Sequence, residues 1–276
     1  AQFVNQFNTT VTDITLHGGE SVFVVFREAS AKIESIKKPV RNLLLTLSEQ
    51  NEIQATTSKN GTYQVPLSSN RTWQFSVEDI PEAIDISNDW MVSFKKEQGY
   101  EGTVRFDSLM DWSEHKIDAI NYCSGTATYQ KNFQLTKEQL SEGTLVTLDL
   151  GKVHIVADVK INGKKVAVSW MPPFQIDISD YTKVGKNLLE VYVTNQWSNR
   201  LIGDERYPPN DGGYKLGPHR ATNLTMPAWY TNNEPRPEGK RTTFTTAPFY
   251  KKDDPLMPSG LLGPVTINFS KTIVQE

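Results

Sequence analysis

The chain has 276 residues, enough for one large or two medium domains, and its 37% hydrophobic content, with six Trp, ten Tyr and twelve Phe, can fill real cores. A net charge of -3 offers no basic field to nucleic acid or to an anionic membrane surface. No apolar run approaches the about twenty residues of a spanning helix, no basic and then apolar leader opens the sequence, and the lone Cys123 can form no internal disulfide, so stability must come from packing.

Residues 1–16 show little periodicity beyond Val11, Ile14 and Leu16. SVFVVF at 21–26 is nearly continuous in apolar residues and predicts a strand covered on both faces. Leu43, Leu44, Leu45 and Leu47 follow among polar stretches, and Asn60-Gly61 predicts a hairpin tip. Trp73, Phe75 and Val77 alternate with polar residues, as do Trp90, Val92 and Phe94, and both sets are expected in the core of a small first sandwich. The polar, glycine-bearing KKEQGYEG places a domain boundary near residue 105, giving 1–105 and 106–276. In TKEQLSEG, Thr136 and Gln139 stand at capping-box spacing before Gly143, predicting one short helix.

The strongest signal runs over 145–195. Val146, Leu148 and Leu150, then Val159 and Ile161, then Phe174, Ile176 and Ile178, then Leu189, Val191 and Val193 each alternate with polar partners. Asn162-Gly163 is the pair that best takes the positive φ angles of a type I′ turn, so a tight hairpin is expected there. Half-buried antiparallel strands joined by short turns make a sandwich when two such sheets cover each other. After Asn195 the alternation stops, and a loop at about 196–240 is rich in Pro, Gly, Arg and aromatic residues. Loops of that length tend to be functional or disordered, and Trp197, Tyr207, Tyr214, Trp229 and Tyr230 argue against disorder. Order is expected to resume with RTTFTT, and LLGPVTINF to supply a closing strand.

The strings LDLGKVHIVADVKINGKKV and PPFQIDISDYTKVGKNLLEVYVTN resemble the jelly-roll sugar-binding domain of family 2 glycoside hydrolases. YCSGTATYQKNF, NQWSNRLIGDE and PSGLLGPV are similar to the C-terminal region of family 106 α-L-rhamnosidase-like enzymes. The resemblance covers about 90–269, and NRLIGDE is its most specific string. It implies an all-β chain of two β-sandwich domains, the second a galactose-binding-like jelly roll. It also implies a bacterial, secreted or periplasmic polysaccharide degrader whose catalytic acids sit on a separate barrel, and this chain has no βα alternation that could build one. The five Asn-x-Ser/Thr triplets, at Asn8, Asn60, Asn70, Asn223 and Asn268, are accordingly read as unglycosylated.

Glycoside hydrolysis needs two carboxyl groups held about 5 to 10 Å apart. Asp204 and Glu205 are the obvious acids, yet adjacent side chains point apart, and beside Arg200 and Arg206 they fit a salt-bridged anchor better, so no catalytic residue is assigned. His17, His115, His154 and His219 are scattered without metal spacing, which argues against zinc. Calcium leaves no motif and stays open as a cofactor, with Asp177, Asp180 and Asp211 as the loop acids that could serve. Neither Ser124-Gly125 nor Ser259-Gly260 forms a nucleophile elbow, and Gly212-Gly213 is no phosphate loop.

Sugar recognition remains, because pyranose faces stack on Trp or Tyr while Arg, Asn, Asp and Glu bond the hydroxyls. Trp170, Trp197, Arg200, Asp204, Glu205 and Trp229 are the candidates, either for carbohydrate or for docking on a neighbouring catalytic domain, which favours Arg and aromatic residues too. The sequence therefore reads as a non-catalytic accessory region of a glycoside hydrolase, with an autonomous carbohydrate-binding module as the alternative and a small catalytic sandwich as a third.

Overall fold

The computed structural model describes residues 4–6, 9–11, 14, 16, 21–25, 34–48, 50, 52–208, 226–245 and 249–275. Among these the first strands are β1 (Val4–Gln6), β2 (Thr9–Val11), β3 (Leu44–Leu47), β4 (Ile53–Thr57), β5 (Gly61–Pro66), β6 (Thr72–Val77), β7 (Ile84–Asp85), β8 (Asn88–Phe94) and β9 (Gly102–Ser108). There follow β10 (Thr126–Leu135), β11 (Thr144–Asp149), β12 (Lys152–His154), β13 (Val156–Ile161), β14 (Lys164–Ser169) and β15 (Gln175–Asp177). β16 (Gly185–Thr194), β17 (Gly260–Gly263) and β18 (Thr266–Val274) complete the set. Only short helices interrupt them, α1 (Asp118–Asn121), α2 (Ser198–Asp204) and α3 (Ala228–Thr231), so the protein is all-β.

Two antiparallel sheets face each other. One has the order β14-β13-β16-β10-β8-β9; the other runs β15-β11-β18-β4-β3, with β7 also paired to β18. Register puts Val159, Val191, Tyr129 and Val92 on one rung of the first sheet, and Ile176, Leu148 and Ile267 on one rung of the second. All seven side chains are buried in a single cluster, so the two rungs meet across the core. The alternation read over 145–195 is what builds it: Val146, Leu148, Leu150, Val159, Ile161, Phe174, Ile176, Ile178, Leu189, Val191 and Val193 are all buried there. At Asn162-Gly163 both φ angles are positive and Ile161 pairs Lys164, which is the expected two-residue hairpin.

The first hundred residues depart from expectation. Trp90, Val92 and Phe94 lie in the large core, not in a small first sandwich, and β8 and β9 hydrogen-bond into the sheet of β10. The expected boundary near 105 falls inside β9, the edge strand of the first sheet. A second, smaller core does exist, around Leu45, Ala55, Tyr63, Val65 and Val77, with Trp73 and Phe75 against it. Its β3 and β4 extend the second large sheet through β18, because the nine-residue β18 outruns β11 and offers its far half to β4. Asn60-Gly61 tips no hairpin, since β4 pairs β3 and β18 while β5 pairs β6; the Asn60 side chain instead accepts a bond from Ile80 N–H at 3.0 Å.

Residues 21–25 form no strand and are exposed, Phe23 at 92%; Phe26 lies outside the described residues. The capping box between Thr136 and Gln139 forms in both directions, at 2.9 and 3.3 Å, but closes a turn rather than a helix. Gly143, at φ 75°, ends it.

Candidate functional site

β14 and β16 both run antiparallel to β13, so they finish at the same end of the first sheet, with Ser169 across from Ala157 and Ala157 across from Val193. Trp170 leaves β14 there and is 66% exposed, while Trp197 leads from β16 into α2 and is 56% exposed. β8 also ends there, because Ser93 pairs Thr128 near the start of β10, and it delivers the 3-10 turn Lys96–Gln98. One end of the sandwich thus gathers the 3-10 turn, α2 and Trp170.

Side chains hold α2 in place. Arg200 N–H donates to Ser124 Oγ at 3.1 Å, and Asn199 donates to Met257 O at 2.7 Å and Ser259 Oγ at 3.1 Å while accepting from Met257 N–H at 2.7 Å. Asn195 adds bonds to Cys123 O at 3.0 Å and Ser259 Oγ at 2.9 Å. The strings SGTATY, NQWSNRLIGDE and PSGLLGPV therefore meet in one buried polar junction. Burial pushes the Cys123 thiol beside it up to about 12, against the pull of the Arg200 charge.

The charged candidates are absorbed by this junction. Arg200 Nη2 lies 3.0 Å from Asp204 Oδ1, and both side chains are buried. The Asp204 carboxylate also accepts from Thr242 N–H at 3.1 Å, Thr243 N–H at 2.6 Å and Thr243 Oγ1 at 2.6 Å. Glu205 receives both arms of Arg241, at 3.1 and 3.2 Å, and Arg206 pairs Asp118 at 2.7 Å while lying over the Tyr122 ring. Arg200, Asp204 and Glu205, expected on a binding surface, are thus fasteners that tie α2 to residues 241–243, because buried charges persist only when paired and hydrogen-bonded.

The aromatic candidates divide. Trp170 and Trp197 are open to solvent, whereas Trp229 is half-buried, edge-on to Phe244 at 5.5 Å and to Tyr230 at 5.9 Å. Between α2, the 3-10 turn and residues 242–245 lies a cleft of about 450 Å³, lined by Glu97, Trp197, Leu201, Thr242, Thr243, Phe244 and Thr245. Sequence reading found Trp197 alone of these. Glu97 sat in what read as a linker, and RTTFTT read as the return of order.

Asp177 accepts from the Ser179 amide at 2.9 Å and the Ser179 hydroxyl at 2.6 Å, a local turn. Among the described residues no group of three or more His, Cys, Asp or Glu is placed to hold a metal ion. Asp211, Gly212-Gly213, Tyr214, His17, His219, Asn8 and Asn223 lie outside the described residues.

Comparison with known proteins gives three findings. Residues 101–226 match the family model described as the glycosyl hydrolase 2 galactose-binding domain-like family. A candidate beta-glucuronidase of Formosa agariphila is 41% identical over 217 residues, covering 79% of this chain and 18% of its own length; a second from the same organism is 30% identical over 132 residues, covering 46% and 12%. A rhamnosidase structure from Novosphingobium shares the fold with a TM-score of 0.53 at 23% identity, covering 88% of this chain and 24% of its own. This chain therefore spans less than a fifth of the length of either curated relative.

Proposed function

Starting from a chain whose 101–226 region is glycoside hydrolase family 2-like and galactose-binding-like, we propose that it acts as a non-catalytic accessory region of a bacterial polysaccharide-degrading enzyme. Its loop end, with Trp170, Trp197 and Trp229, docks on that enzyme's catalytic barrel. A secreted or periplasmic location belongs to the same proposal, as does a division of labour between a small N-terminal unit on the second core and the larger sandwich.

One observation carries the reading: both acids of the NRLIGDE string are tied up inside the fold, Asp204 by Arg200 and the 242–243 amides and Glu205 by Arg241. Neither carboxylate lines the cleft beside them, where Glu97 is the one acid among the described residues, half of what hydrolysis requires. The exposed Trp197 indole in that cleft favours the second reading, an autonomous carbohydrate-binding module.

Incubating the chain with aryl rhamnosides, galactosides and glucuronides tests the first reading. No turnover above buffer is expected; turnover that vanishes in Glu97→Gln overturns it.

A further inference from the structure

We propose that the cleft between α2 and residues 242–245 receives one arginine side chain of the parent enzyme's catalytic barrel, its guanidinium stacked on the Trp197 indole and paired with the Glu97 carboxylate. This rests on the docking reading above and names the group that the docked surface must present.

Charge comes first. Around α2 the charged groups satisfy one another, Arg200 with Asp204, Arg241 with Glu205 and Arg206 with Asp118. Glu97 is the exception. It forms no ion pair among the described residues and is the one acid of the cleft, whose described lining holds no Lys, Arg or His. Lys95 and Lys96 precede it at the 3-10 turn, exposed and outside that lining. A carboxylate left without a counter-charge beside an apolar wall is complementary to a cation.

Hydrogen-bond sense agrees. The Glu97 carboxylate can only accept, and the Thr243 hydroxyl donates to Asp204, which leaves its oxygen as an acceptor. The hydroxyls of Thr242 and Thr245 can rotate to do the same. A guanidinium carries five N–H donors and no acceptor, so each polar group it brings meets one of the opposite sense.

Shape narrows the cation to arginine. Trp197, 56% exposed, offers a ring face, and Leu201 and Phe244 add apolar surface for a methylene stem. A planar guanidinium stacks on an indole and meets a carboxylate with two parallel N–H bonds, which the compact ammonium of lysine cannot do. The cleft's volume of about 450 Å³ admits one long side chain. Its walls are fixed in advance, since Asp204 holds the Thr242 and Thr243 amides while Ser124, Met257 and Ser259 hold α2. A preformed site loses little freedom on binding.

Titrating the intact chain with Nα-acetyl-L-arginine amide, followed by NMR and calorimetry, tests this against Nα-acetyl-L-citrulline amide, whose urea has the same shape without the charge. The arginine probe should bind saturably with a Kd of roughly millimolar order, and the citrulline probe about tenfold more weakly. Glu97→Gln should weaken the arginine probe about fivefold and leave the citrulline probe unchanged, while Trp197→Ala should also cost the arginine probe about fivefold. Both variants should keep the parent melting temperature, because both side chains are exposed. Raising the salt from about 0.05 to about 0.5 M should weaken the arginine probe several-fold. Absence of saturable arginine binding, equal affinity for the citrulline probe, or undiminished binding in Glu97→Gln overturns the proposal. The docking reading fails on a different result, hydrolytic turnover by the chain; failure of the arginine probe without turnover removes this contact alone.

Discussion

Arg200 Nη2 stands 3.0 Å from Asp204 Oδ1 one turn further along α2, and both side chains are sealed from water. A pair in this position is costly to break from one side, because the survivor is left charged and buried. Asp204→Ala should lower unfolding free energy by about 3 to 5 kcal/mol in urea denaturation. Arg200→Met combined with Asp204→Leu should cost less than the sum of the single changes; additive losses would show that the two do not act as a pair.

Gly203 lies inside α2, where alanine ordinarily gains about 1 kcal/mol over glycine. Here an added Cβ would stand 2.6 Å from the Tyr122 ring and 2.7 Å from Arg200 Nη2. Gly203→Ala is therefore expected to destabilise by about 1 to 3 kcal/mol, reversing the usual sign. A raised melting temperature would mean that Tyr122 can move aside.

Burial that lifts the Cys123 thiol to about 12 leaves almost no thiolate at pH 8. The folded chain should not react with an aromatic disulfide reagent, and urea should release one equivalent of thiol. Prompt reaction of the native protein would contradict the packing around Ser124 and Arg200.

Burial, aided by Lys116 and Lys152 respectively, holds the His115 and His154 imidazoles below the usual histidine range. The unfolded chain takes up those protons near pH 6.5 and the folded one does so only at lower pH, so the unfolded state binds more protons between the two. Stability is then fully present above about pH 6.5 and falls as pH drops through that value. A second loss belongs to Glu34 and Asp85, held low chiefly by the hydroxyls of Ser69 and Ser87, and begins below about pH 4.5. Melting temperatures measured from pH 8 to 5 should decline, and His115→Gln should flatten the slope; a flat profile in the parent chain would refute the assignment.

Much of the fold was legible in the chain. The alternating runs between Val146 and Val193 fit half-buried strands, and Asn162-Gly163 between two of them fits a tight hairpin, so local pattern determined these elements and their inward faces, whereas the same pair at Asn60-Gly61 tips no hairpin. Trp90 and Trp73 stand in equally good alternating runs, and nothing local says that one enters the large core and the other the small. That is settled by which strand pairs with which, β8 with β10 and β5 with β6, across separations that no local pattern encodes.

The site divides in the same way. Trp170 and Trp197 could be picked out as aromatic residues in turns, but their shared end of the sheet follows from β14 and β16 both opposing β13. Asp204 and Glu205 could be read as a salt-bridged anchor because Arg200 and Arg206 stand beside them in the sequence, though Arg200, Asp204 and Glu205 also stood as candidates for a binding surface. Only the tertiary structure buried Arg200 and Asp204, since the amides that satisfy Asp204 come from Thr242 and Thr243, 38 and 39 residues further along. A charge can leave water only where the fold supplies its partners, and those partners are fixed by the path of the whole chain rather than by its neighbours in sequence.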